Sequence, residues 1–126
     1  MTFEELKQKV LEWADSHELL KPENADKQFG KFIEEVFEFK TEFDIWNLYR
    51  KFKHDTNVWQ DFSIEESERW KNLKLEMGDI IVTLVVLCED LGINPTKCLE
   101  MAYDKIKDRK GVTRNGVFIK AEDLEK

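Results

Sequence analysis

Two pairs of carboxylates are spaced along this sequence so that they could form a functional site. Glu35 and Glu38 are three residues apart, as are Glu76 and Asp79, so each pair projects from one face of a helix. Like charges at that spacing repel, and a carboxylate beside the apolar run Ile80–Leu87 is costly unless something compensates its charge. The alternative is that these residues lie on solvated helix faces, as most charged residues do.

Two helices that each carry such a pair can bring four carboxylates together inside a bundle. Hard divalent cations prefer oxygen ligands, and magnesium keeps waters or substrate phosphates in its remaining positions. Zinc and copper fit an all-carboxylate set less well. A di-iron bundle uses Glu-x-x-His pairs, but the two histidines, His17 and His54, follow Ala14 and Lys51 at that spacing. The pattern therefore predicts Mg²⁺, with Mn²⁺ as a substitute.

Glycine and proline are rare, which predicts long helices around these carboxylates. The chain has five glycines and two prolines, and both prolines lie at expected helix boundaries. Gly92 and Gly111 mark the expected ends of the last two helices. Capping patterns mark the expected helix starts, namely Thr2 with Glu5, Asn24, Ser63 with Glu66, and Asn94 before Pro95.

Apolar residues at helical spacing predict what the helices bury. The pattern runs from Phe29 to Phe52, and Trp70 and the run Ile80–Leu87 are expected to pack in the core. Near the C-terminus, short apolar stretches flank Asn115-Gly116, the dipeptide that suits a type I′ hairpin, and the charged end is expected to fray. The predicted fold class is all-α, a bundle of four to five helices with a small C-terminal β-hairpin.

Length and composition predict one globular domain. The chain has 126 residues, and its 20 basic and 27 acidic residues give a net charge of -7, which weakens the case for gripping nucleic acid through its phosphates. The run Met77–Cys88 is shorter than the about 20 residues of a spanning helix, so no membrane segment is expected. The N-terminal residues lack a basic start followed by an apolar stretch, and a cytoplasmic location is therefore expected.

The acidic motifs also resemble a known family. Glu34-Glu35-x-x-Glu38 followed by Glu76-x-x-Asp79 is similar to the EExxE and ExxD motifs of the MazG-like, all-α nucleoside triphosphate pyrophosphohydrolases. The stretch Ala102–Gly111 and the following Asn115–Phe118 resemble the C-terminal part of small phage and bacterial members. The resemblance covers roughly residues 24–42 and 70–119.

The resemblance implies a magnesium-dependent hydrolase. It implies that Glu35, Glu38, Glu76 and Asp79 hold magnesium, and that Glu34, with a supporting or water-orienting role, acts beside Glu35 and Glu38 in catalysis. A metal-activated water would attack a nucleoside triphosphate between its α- and β-phosphates and release a monophosphate and pyrophosphate. Magnesium suits this reaction because it lowers the pKa of water and neutralises charge on the leaving group. The resemblance also implies homodimers or homotetramers in which neighbouring subunits complete the pocket.

A triphosphate needs cationic partners, and the candidates are Lys31, Lys107, Arg109, Lys110 and Arg114. Lys31 lies one turn before Glu35, whereas the other four cluster where the last helix is expected to end. Basic residues at a helix C-terminus also complement the helix dipole, which is the alternative for Arg109 and Lys110. Candidates for an aromatic wall against the base are Trp13, Trp46, Trp59, Trp70 and Tyr103.

The chain departs from the family pattern at two places. Asp104, among the candidate substrate contacts, stands where similar proteins often carry asparagine, and residues 45–62 insert an aromatic and basic segment between the acidic motifs.

Two other functions stay open. One is a catalytically silent acidic module that binds a basic partner, and the other is a relative specific for dUTP or phosphoribosyl-ATP. An enzyme of this type would depend on a divalent ion, whereas the silent module would not. A panel of nucleotides would distinguish the substrate-specific relatives from one another and from a broader enzyme.

Overall fold

The structure is a computed structural model that describes residues 1–52 and 66–124. Helices make up most of this part of the chain, with one two-stranded antiparallel sheet near the C-terminus, which confirms the predicted fold class. The chain divides into two compact units, Met1–Gly92 and Ile93–Lys126. The assignment of residues 1–126 to one domain stays a prediction.

Helix α1 spans Phe3–Ser16 and begins at the predicted cap. The backbone N–H of Glu5 donates to Thr2 Oγ1 over 3.1 Å, which satisfies one of the free N–H groups of the first turn. The stretch before the next helix differs from expectation. A single 3₁₀ turn, Pro22–Asn24, stands where the sequence predicts an N-cap, and the Asn24 amide donates to the carbonyl oxygens of Glu18 and Leu19.

Two long helices, α2 (Ala25–Phe52) and α3 (Glu66–Leu91), pack along each other, and α1 packs against α3. Helix α2 continues without interruption through the first part of the predicted insertion 45–62. The remainder of that insertion and the predicted cap at Ser63 lie outside the described residues. Gly92 follows α3 with a φ of +72°, the left-handed conformation that ends helices at glycine, as predicted.

The core of the first unit is small and includes polar side chains. Its buried apolar residues are Ala14, Leu73, Val85, Val86, Leu87 and Cys88, and its buried polar residues are Glu35, Arg69, Thr83 and Asp90. The expectation that Trp70 belongs to the core is wrong, because Trp70 is 48% exposed and its ring contacts that of Trp46 at a centroid distance of 5.2 Å. Apolar residues occupy so much of the α3 circumference that only some of them can face α1 and α2.

The second unit begins with helix α4 (Pro95–Ile106), whose predicted cap is confirmed. Asn94 Oδ1 accepts from the backbone N–H groups of Thr96 and Lys97 at 2.8 and 3.3 Å. The helix ends at Ile106, earlier than the predicted stop at Gly111.

Gly111 instead begins strand β1 (Gly111–Arg114), which pairs antiparallel with β2 (Val117–Lys120). A Cβ at residue 111 would collide with the Ile119 carbonyl oxygen and lie 2.6 Å from the Phe118 ring, so only glycine fits there. Asn115 and Gly116 have φ values of +52° and +77°, which confirms the predicted type I′ turn.

A four-residue helix, α5 (Ala121–Leu124), follows the hairpin where the sequence predicts a frayed end. The Ala121 N–H donates to the Lys110 carbonyl over 2.8 Å and connects this helix to the residue before β1.

Across the described ranges, no helix has both the length and the apolar character needed to cross a bilayer.

Candidate metal centre and adjoining cavity

Helix α2 turns a charged face towards α3. Lys31, Glu35, Glu38 and Glu42 are spaced by four, three and four residues and therefore follow one side of the helix. The apolar side chains of Phe29, Val36 and Phe43, spaced by seven residues, are exposed on another side. Because Phe32 and Phe39 are half-buried while these three are exposed, α2 lacks the single buried apolar face of an ordinary amphipathic helix. Deviations of this kind from the usual pattern concentrate at functional sites.

Three carboxylates from the two helices converge. Glu35, Glu38 and Glu76 each offer an oxygen, and these three oxygens all lie within 4.8 Å of one another. Glu35 is 7% exposed, Glu76 is half-buried and Glu38 is exposed, so the group extends from the interior to the surface. Asp79, the fourth predicted ligand, lies one turn further along α3 and lines a cavity together with Glu35.

The buried oxygens of this group are consistent with a cation site. Within the described residues, Glu35 Oε2 and Glu76 Oε2 are both buried and have no hydrogen-bond partner. A buried carboxylate oxygen without a donor carries a desolvation penalty that a bound cation would remove. The donors are all carboxylate oxygens, which suits Mg²⁺ or Mn²⁺.

The pKa values of Glu76 and Glu38 are raised. Burial is the main cause of the raised pKa of Glu76, and the negative charges of Asp79, Glu35 and Glu42 raise it further. The pKa of Glu38 is raised chiefly because its protonated form can donate a hydrogen bond to Glu35, and secondly by the charge of Glu35. Glu38 and Glu76 therefore hold protons at higher pH than isolated carboxylates do.

Lys31 contacts one edge of the group. Its Nζ lies 3.4 Å from Glu34 Oε2 and 3.4 Å from Glu35 Oε1. The pKa of Lys31 is raised, first by the charge of Glu34 and then by hydrogen bonds to Glu34 and Glu35. Glu34 itself is exposed and is not one of the three converging carboxylates.

A cavity of about 500 Å³ adjoins the carboxylate group. Its walls combine the indole of Trp13, which is 51% exposed, two lysines and two valines of α3. The lining residues are Trp13, Leu19, Lys27, Gln28, Lys31, Glu35, Asp79, Val82, Thr83 and Val86.

Sequence reasoning missed three of the polar residues of this cavity, Lys27, Gln28 and Thr83. Lys27 and Gln28 precede Lys31 by four and three residues, so the helical period that selects Lys31 also places them on its face. The Thr83 hydroxyl lies 2.9 Å from the Ile80 carbonyl and 3.2 Å from the Asp79 carbonyl, a bond within its own helix that no motif signals.

The other sequence candidates lie elsewhere. Trp46 and Trp70 pack against each other and do not line the cavity, and Trp59 lies outside the described residues. In the second unit, Lys107 forms an ion pair of 3.3 Å with Asp104, the residue one turn earlier. A separate cleft of the second unit is lined by Arg109, Lys110, Lys120, Ala121 and Glu122.

Comparison with known proteins identifies no relative, since no family model, no curated protein and no solved structure matches this chain. Membership of the pyrophosphohydrolase family therefore stays a prediction that rests on the motifs.

Proposed function

We propose that this protein is a magnesium-dependent nucleoside triphosphate pyrophosphohydrolase of the MazG-like type, which cleaves between the α- and β-phosphates. The observation that carries the proposal is the position of three converging carboxylates beside a cavity of about 500 Å³, with Glu35 common to both. That volume lies in the range of small-molecule sites, about 300–1,000 Å³. A cytoplasmic location is part of the proposal.

Each part of the site has a distinct role in this reaction. Glu35, Glu38 and Glu76 would hold the metal, and Asp79 would complete the set from the cavity side. Bound magnesium would activate water and neutralise charge on the pyrophosphate leaving group. Glu34 would orient the water, because it is exposed and is held beside the group through Lys31.

The cavity would bind the nucleotide. Lys27 and Lys31 supply positive charge on its α2 wall for the phosphate chain, and the Trp13 indole offers a flat apolar face for the base. Lys107, Arg109 and Lys110, with Asp104, are further candidate contacts on the evidence of the motif resemblance alone.

We further propose that the chain forms a homodimer or homotetramer. Trp70, Met77, Ile81 and Leu84 of α3 are 38–48% exposed, and their spacings of seven, four and three residues place them on one face. Burial of these side chains against a second copy would remove apolar surface from water at about 25 cal/mol per Å².

Pyrophosphate release from a panel of dNTPs and NTPs, measured with Mg²⁺ and with EDTA, tests this function. We expect release that requires Mg²⁺ and is lost in Asp79→Asn while the helical circular dichroism is retained. The same panel, extended to dUTP and phosphoribosyl-ATP, distinguishes a broad enzyme from a specialised one. Absence of release from every nucleotide by the folded protein at saturating Mg²⁺ would favour the catalytically silent acidic module instead.

A further inference from the structure

Lys31 provides positive charge directly to a buried candidate metal ligand. Its Nζ lies 3.4 Å from Glu35 Oε1, and this is the ion pair of Glu35 within the described part of the chain. Glu35 is 7% exposed, and among residues 1–52 and 66–124 its other oxygen, Oε2, has no hydrogen-bond partner. Lys31 therefore contacts one oxygen of a carboxylate whose second oxygen receives no hydrogen bond from these residues.

The helix holds the Lys31 ammonium loosely. Glu34 and Glu35 follow Lys31 by three and four residues, the spacings at which side chains of one helix face meet. The Lys31 side chain is about half exposed, so the ammonium can leave Glu35 without crossing a packed core. Lys31 also lines the cavity proposed for the nucleotide, and a four-carbon stem gives its charge a choice of positions.

We propose that Lys31 is the internal counter-ion of the metal-free carboxylate group, and that a divalent cation displaces its ammonium from Glu35 into the cavity. The displacement rests on the proposed metal site, whereas the counter-ion role is a property of the metal-free protein. The same residue then serves two states of the site, first neutralising Glu35 and afterwards facing the phosphate chain in the cavity.

This role predicts two effects of opposite sign. A cation that binds at Glu35 must displace Lys31, and it also experiences repulsion from a positive charge close by. Removal of the lysine charge should therefore tighten the binding of a bare divalent ion and weaken the binding of a triphosphate. A lysine that served only to hold the fold together would weaken both.

The first test is a calorimetric titration with Mn²⁺ alone, without nucleotide, of the wild-type protein and three variants. We expect Lys31→Gln to bind Mn²⁺ about five- to tenfold more tightly, as removal of a nearby positive charge predicts. Lys31→Arg should bind like the wild type because it keeps the charge. Lys27→Gln, which removes another lysine of the same cavity two turns from Glu35, should change Kd by less than about twofold. Unchanged or weaker binding in Lys31→Gln would overturn the displacement.

The second test is a double-mutant cycle in EDTA with Lys31→Gln, Glu35→Gln and the double variant. We expect Lys31→Gln to lower Tm in the wild-type background and to have a smaller effect when Glu35 is already neutral, because only the exposed ion pair with Glu34 then remains. Equal losses of Tm in both backgrounds would overturn the counter-ion role. If neither the wild type nor Lys31→Gln binds Mn²⁺, the metal site and the displacement both fail, and the cycle in EDTA still decides the counter-ion role.

Discussion

Glu35 of α2 and Glu76 of α3 meet across the helix pair with carboxylate oxygens within 4.8 Å of each other. Oε2 of each side chain is buried and has no hydrogen-bond partner among the described residues. Two negative charges at this separation repel by about 1 kcal/mol in water and about 3 kcal/mol at an effective dielectric constant of about 20. A proton on one of them, or a cation between them, would remove this repulsion.

Neutralising either member of this pair should abolish stabilisation by a metal ion without destabilising the metal-free protein. We expect Glu76→Gln to unfold at the same or a higher temperature in EDTA, because the repulsion is gone, whereas in Glu35→Gln the lost ion pair with Lys31 offsets that gain. The free energy of unfolding of the wild-type protein should rise by about 2.7 kcal/mol when Mn²⁺ is present at a hundred times its Kd. Both variants should lose that increase. Thermal unfolding with and without Mn²⁺ measures this, with Glu68→Gln, an exposed residue of α3, as the matched control. A full Mn²⁺ response in Glu76→Gln would contradict the site.

Metal binding should weaken as the pH falls from neutrality towards 5. The pKa of Glu76 is raised mainly by burial, and that of Glu38 mainly by its hydrogen bond with Glu35, so both groups take up protons above the usual range of carboxylates. Protons then compete with the cation, and metal binding releases them. Mn²⁺ titrations down to about pH 4 should show a falling affinity in the wild type. A Kd that does not vary down to about pH 4, the ordinary range of carboxyl pKa values, would mean that these carboxylates are not the ligands.

Asp90 should destabilise the folded protein at neutral pH. It is 6% exposed, and burial raises its pKa, as do the charges of Glu89 and Glu23, while the Lys21 amide opposes the shift. The folded state therefore binds a proton more tightly than the unfolded state, and stability falls as the pH rises from the ordinary carboxyl pKa through the raised one.

Substituting Asp90 should therefore increase stability in a pH-dependent way. We expect Asp90→Asn to raise the free energy of unfolding by on the order of 1 kcal/mol at pH 7, because it removes the buried charge. Below about pH 4 the carboxyl group is already neutral, so the substitution should have no such effect. Urea unfolding at the two pH values measures the difference, and the exposed neighbour substitution Glu89→Gln should give a smaller gain. An Asp90→Asn variant that loses stability at pH 7 would show that the carboxylate has a stabilising partner.

Trp13 should contribute more to nucleotide binding than to the fold. Because the indole is 51% exposed and lines the cavity, Trp13→Ala removes a flat wall without leaving a large internal void. We expect affinity for a non-hydrolysable triphosphate to fall about five- to thirtyfold, equivalent to about 1–2 kcal/mol of lost aromatic contact. Phe37→Ala, which truncates an exposed aromatic residue of α2 that does not line the cavity, should leave affinity unchanged. Equal affinities for the two variants would exclude Trp13 from the nucleotide site.

The exposed α3 face should decide the oligomeric state. Leu84→Glu places a charge among Trp70, Met77 and Ile81, so we expect it to reduce the mass measured by light scattering to that of the monomer. Leu75→Glu makes the same chemical change at an exposed leucine on another side of α3 and should leave the mass unchanged. A wild-type protein that is already monomeric would end the proposal of a homo-oligomer.

Local sequence signals determined where several elements begin and turn. Thr2 and Asn94 cap α1 and α4 because their side-chain oxygens reach N–H groups only two or three residues away. Asn115 and Gly116 form the hairpin turn because both tolerate a positive φ. The spacing of Glu35 and Glu38 likewise placed them on one face of a helix, since three residues nearly complete a turn.

Tertiary packing decided which of these side chains meet. The axial offset and rotation of α2 against α3 bring Glu76, one turn before Asp79, to Glu35 and Glu38, and an i, i+3 spacing within one helix contains no information about that offset. The same rotation buried Glu35 of α2 and left Trp70 on the surface. Apolar residues surround much of α3, so its sequence permits several buried faces, and only contact with the neighbouring helices selects one.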